Sequence, residues 1–123
     1  MKKIIACIIA LVIILSISIL PVSAVSVDLL PNQYENYSNN VSAKQCRFKG
    51  TNNGTSSHMV YFHSQISTST GYKNNVTYYA HIGESFAWQK TESFSNNQTW
   101  RLRLNPTGLY KNCSGTGYIV KVS

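Results

Sequence analysis

Acidic residues are scarce in this chain. Asp28, Glu35, Glu84 and Glu92 stand against 11 Lys and Arg, so chemistry that needs several carboxylates has few candidates. There are 3 cysteines, and one of them, Cys7, sits inside the apolar leader. That leaves Cys46 and Cys113, too few for a cysteine-rich metal framework. Beyond residue 24 no stretch carries apolar residues at a 3.6-residue spacing, which excludes a helical bundle. No internal repeat, cofactor motif or catalytic motif occurs, so nothing can be assigned by signature.

What is present begins with a leader. Lys2 and Lys3 precede an almost unbroken apolar run over 4–20, then Pro21 and the small-residue site Val22-Ser23-Ala24. This is the layout of a secretory signal peptide cleaved after Ala24. The run is near the lower limit for a membrane anchor, and Pro21 with the Val-Ser-Ala site favours cleavage. Cys7 is not placed as a lipoprotein cysteine, which would end the apolar region rather than begin it. The expected organisation is a signal peptide over 1–24, a polar arm or linker over 25–42 and one secreted domain over 43–123. Residues 25–30 could add a short edge strand.

Removing Lys2 and Lys3 from the 11 Lys and Arg leaves nine against four acids, a net charge of +5. A basic secreted domain suits anionic partners. Export also exposes the chain to oxidising conditions, where Cys46 and Cys113 have one possible pairing. A disulfide closing that loop would stabilise by about 4 kcal/mol.

From residue 43 onward the apolar pattern has period two. Strands are expected over 43–49, 58–66, 76–82, 85–90, 99–104, 109–113 and 118–122. Val60, Phe62 and Ile66 should share an inner face; so should Phe86 with Trp88, and Trp100 with Leu102 and Leu104. Residues 67–75 read as a polar connection, Asn96-Asn97 as a hairpin turn and residues 114–117 as another turn. The pattern predicts an all-β fold, a small antiparallel β-sandwich or barrel of about seven strands with one disulfide.

The outward positions nominate a site. If neighbouring strands pair, Tyr61, His63, Tyr79, His81, Arg101 and Arg103 form one aromatic and basic face. Tyrosines stack on sugar rings or sit at a lipid headgroup boundary, and arginines grip phosphates. The expected partner is an anionic cell-wall polymer or a membrane surface, not nucleic acid; edge strands leave the oligomeric state open. His58, His63 and His81 lack a third or fourth ligand at compatible spacing, so no metal or cofactor is expected. For catalysis the inventory offers Glu84 with Glu92, or Glu84 with His81 and an arginine.

The Met-Lys-Lys leader followed by a Tyr-, Ser- and Asn-rich strand pattern resembles small secreted β-sandwich proteins of Gram-positive bacteria, including the lactococcin-972-like bacteriocins. That resemblance covers the general plan of the chain and carries over no site residue. The leading expectation is a secreted, non-enzymatic protein that binds the bacterial surface through the aromatic and basic face. The alternatives are a bacteriocin or toxin-like protein, and a small secreted hydrolase.

Overall fold

The computed structural model describes residues 24–123. The predicted signal peptide lies outside the described residues except for Ala24. Within the described residues, nine strands form two antiparallel sheets, with almost no helix. They are β1 (Val25–Leu29), β2 (Asn36–Tyr37), β3 (Val41–Ala43), β4 (Cys46–Asn52), β5 (Val60–Thr68), β6 (Gly71–Ala80), β7 (Ser85–Lys90), β8 (Gln98–Pro106) and β9 (Gly115–Lys121). One sheet has the order β1-β9-β4-β7. The other runs β2-β8-β5-β6, with β3 also on β8. β5 and β6 are joined as a hairpin within one sheet; most other connections cross from sheet to sheet.

The core lies between the sheets. β8 supplies Trp100, Leu102 and Leu104, all fully buried, as its alternation predicts. Val60 and Phe62 from β5 join them, opposite Phe48 and Ile119 of the other sheet. Trp100 also donates its indole N–H to Ala43 O at 2.8 Å, satisfying the one polar atom its burial would orphan. Glycine makes the close approach possible. Gly50 and Gly117 are directly paired across β4 and β9. A Cβ on Gly50 would lie 2.1 Å from the Phe62 ring, and one on Gly117 would lie 2.7 Å from Leu102.

That packing explains one departure from the sequence pattern. Residues 114–117 look like a turn because they hold two glycines, yet Gly115–Gly117 belong to β9. Residues 109–113 form no strand. The polar connection expected over 67–75 is instead the continuation of β5 and β6 around Ser69-Thr70. Polar residues are tolerated there because β6 is an edge strand, largely exposed on both faces. Asn96-Asn97 is not a hairpin turn, since β7 and β8 lie in different sheets.

The expected arm is not free of the domain. β1 pairs with β9 and buries Val27 and Leu29. Ser38 holds the segment between β2 and β3 on β8: its Oγ accepts from Leu102 N at 2.8 Å and its N–H donates to Leu102 O at 2.9 Å.

The Cys46–Cys113 disulfide is not formed; both cysteines are buried free thiols. The reason lies in the register. Cys46 faces Lys121 at one end of the β4–β9 ladder, whereas Gly115, two residues after Cys113, faces Asn52 at the other. Six residues of strand separate those ends by roughly 20 Å. Cys113 instead directs its Sγ toward His58 O at 3.5 Å, and burial pushes the Cys46 thiol up to about 12.

Candidate functional site

The strand register brings most of the predicted face together on the outer side of the five-stranded sheet. Tyr61 is paired with Tyr79, and His63 with Thr77 and Arg103. Arg101 is paired with Gln65. His81 lies just beyond β6, its ring edge-on to Tyr79 at 5.6 Å. These residues lie on a common side of the sheet, and half of them are engaged within the protein.

Arg103 forms an ion pair with Glu35, with Nη2 and Nε donating to Glu35 Oε2 at 2.8 and 2.9 Å. A hydrogen bond from Tyr37, reinforced by Arg103, holds the Glu35 carboxyl below its usual range. Arg101 rests against two tyrosines, 3.8 Å from the Tyr37 ring centroid and 3.6 Å from that of Tyr72. Its Nε donates to Gln65 Oε1 at 2.8 Å, and Gln65 Nε2 donates onward to Asn74 Oδ1.

His63 is held on both nitrogens, by Thr77 Oγ1 at 2.7 Å and Asn105 Oδ1 at 2.9 Å. Asn105 Nδ2 donates to Pro106 O, leaving its Oδ1 as the acceptor, so His63 Nε2 carries the proton. Burial and the nearby Arg103 charge push the His63 pKa down, favouring that neutral form. Tyr79, by contrast, is open to solvent, at 52% exposure.

The outer side of the four-stranded sheet carries a second cluster that the sequence pattern conceals. β7 contains a bulge: Ala87 and Trp88 occupy the space opposite the single residue Lys49. The extra residue reverses the side-chain parity of the strand. Phe86 turns into the core against Phe62 at 5.0 Å and Phe48 at 6.0 Å. Trp88 turns out, so the two do not share a face as strict alternation predicts.

On this outer side the Trp88 ring has Arg47 at 4.7 Å and Lys49 at 4.8 Å from its centroid, and Lys49 also lies 5.5 Å from Tyr118. Lys90 is paired with Arg47. Among the described residues the one ion pair is that of Arg103 with Glu35, so these three cations have no carboxylate partner there. Beside Trp88 and Tyr118 runs a cleft of about 470 Å³, which Lys49, Thr51, Ser85 and Phe86 also line.

The candidate catalytic groups divide. Glu84 and His81 line a common cleft of about 340 Å³ with Tyr78 and Tyr79. Glu84 and Glu92 do not pair; they flank opposite ends of β7, roughly 20–25 Å apart by strand rise, whereas glycosidase carboxylates stand about 5–9.5 Å apart. Glu92 instead accepts from Asn75 Nδ2 at 2.6 Å. Asn75 is the extra residue of a bulge in β6, so this contact covers an irregular sheet edge. Among the described residues, no three His, Cys, Asp or Glu side chains gather in a way that could hold a metal ion. No helix of the described residues is long and apolar enough to cross a membrane.

No protein-family model, curated protein or solved structure matches the chain.

Proposed function

We propose that this chain is a secreted, non-enzymatic protein that binds the bacterial cell surface by taking up an anionic wall polymer. The contact is the Trp88 platform, with Arg47, Lys49, Lys90 and Tyr118 around it. One observation carries this reading: Arg47 and Lys49 stand on the Trp88 ring with no carboxylate paired to them among the described residues. On the opposite face Arg103 is neutralised by Glu35, and Arg101, though without a carboxylate, is held by Gln65 and lies against the Tyr37 and Tyr72 rings.

The physical logic is that of cation and ring acting together. Unneutralised Arg and Lys attract a polyanion over several ångströms, an attraction that salt screens. The part of the tryptophan left exposed between them adds apolar contact for the carbon skeleton that links the charges. Because the rings already hold the cations in place, little side-chain entropy remains to be lost on binding.

Intrinsic fluorescence tests the reading directly. Trp100 is fully buried, so a change in emission on adding soluble poly(glycerol phosphate) reports on Trp88. The expected result is a saturable change whose midpoint weakens as salt is raised. In the Arg47→Ser, Lys49→Ser double variant, where the reporter is intact, the affinity should fall roughly tenfold or more, the size expected for two phosphate contacts. No change at low salt, or equal affinity in the double variant, rejects the platform.

A further inference from the structure

We infer that the cleft beside Tyr79 is a subsite for an uncharged sugar ring, adjoining the cationic platform. The cleft, about 340 Å³, is lined by Tyr78, Tyr79, His81, Glu84, Ser85 and Phe86. Its size falls at the low end for small-molecule sites, which suits one or two pyranose rings.

The lining has the chemistry that a sugar needs. Tyr78 and Tyr79 are 40% and 52% exposed, and their rings lie near parallel with centroids 6.3 Å apart. Tyr79 is also braced edge-on by Tyr61 at 6.3 Å and His81 at 5.6 Å. A braced aromatic surface offers a large contact to the apolar C–H face of a sugar at little entropic cost. Around it Glu84 can accept hydrogen bonds from ring hydroxyls, and Ser85 and His81 can donate or accept.

The sign of the charge selects the ligand. This cleft has a carboxylate and no lysine or arginine, so it offers a phosphate or uronate no cationic side chain of that kind to pair with. The platform on the other side of β7 has the opposite character. Ser85 and Phe86 line both clefts, so the two sites meet at this edge strand. A chain lying across β7 would place an uncharged sugar by Tyr79 and an anionic group by Trp88. The ligand class is therefore a polymer in which sugar and phosphate are covalently joined. That last step rests on the polyanion reading; the sugar subsite does not.

Amide chemical-shift mapping with a neutral β-1,4-linked N-acetylhexosamine tetrasaccharide separates the two. The expected result is a set of saturable shifts confined to residues 78–86, unchanged by high salt and by the Arg47→Ser, Lys49→Ser double variant. Tyr79→Ala should weaken the interaction roughly three- to tenfold, a stacking loss, while Tyr79→Phe retains it. The spectrum itself reports whether each variant is folded. Absence of shifts at millimolar tetrasaccharide, or shifts that survive Tyr79→Ala, overturns the subsite. Loss of poly(glycerol phosphate) binding with these shifts intact would reject the platform alone.

Discussion

Gly50 shows how much of this fold rests on an atom that is missing. Its backbone lies so close to the Phe62 ring that an added Cβ would fall 2.1 Å from Cε1. Phe62 is fully buried and cannot withdraw. Gly50→Ala is therefore predicted to destabilise by about 1–3 kcal/mol or more through overpacking, read from the urea midpoint. The double variant with Phe62→Leu should recover part of that loss, because the shorter side chain vacates the contested space. A cost of Gly50→Ala that is the same with and without the Phe62→Leu substitution would contradict this picture. At this scale, alternation alone identifies Phe62, Trp100, Leu102 and Leu104 as core residues. It cannot show why glycine occupies 50, 115 and 117, because a glycine required for close approach looks identical to one required for a turn. Trp88 is concealed for a related reason: one inserted residue in β7 reverses its parity, and period-two counting cannot register that.

At the scale of elements, long alternating strands are legible in the sequence and short or polar ones are not. β2 and β3 have two and three residues, too few to show a period; Ser38 on Leu102 and the buried Ala43 beside Trp100 fix their position. The start of β6 is polar because it is an edge. Across the outer face of that sheet, Thr77, His63 and Asn105 link β6, β5 and β8 through one imidazole. Protonating His63 would leave its second N–H facing Thr77 beside the Arg103 charge. Its folded pKa is depressed below the ordinary 6.5, so its stabilising contribution is full above that value. The contribution is lost as pH falls through the folded pKa. Chemical denaturation is expected to show a decline in stability beginning below pH 6.5 and developing before the Glu35 window opens below 4.5. His63→Gln, which cannot be protonated in this range, should remove the first decline and leave the second. A decline of unchanged size in that variant would contradict the account.

At the scale of the molecule, charge is legible in the sequence and its distribution is not. The net positive charge and the abundance of tyrosine point to one aromatic and basic face, and the register does gather Tyr61, His63, Tyr79, Arg101 and Arg103. The partners of its arginines, Glu35 on Arg103 and the Tyr37 and Tyr72 rings on Arg101, come from segments distant in sequence, so these contacts appear only on folding. The same distance accounts for the two thiols: Cys46 and Cys113, the cysteines beyond the leader, permit one bond by count, and the ladder places them at opposite ends. On the other sheet three cations without a carboxylate partner among the described residues, Arg47, Lys49 and Lys90, gather around Trp88. Co-sedimentation of residues 25–123 with isolated bacterial walls tests this most directly. Wild-type protein should pellet with intact walls at low salt and be released as salt rises. Removing the anionic wall polymer, or substituting Trp88→Ala, should lower the pelleted fraction sharply. Protein that stays in solution with intact walls at low salt, or pellets equally in the Trp88→Ala variant, would contradict the account.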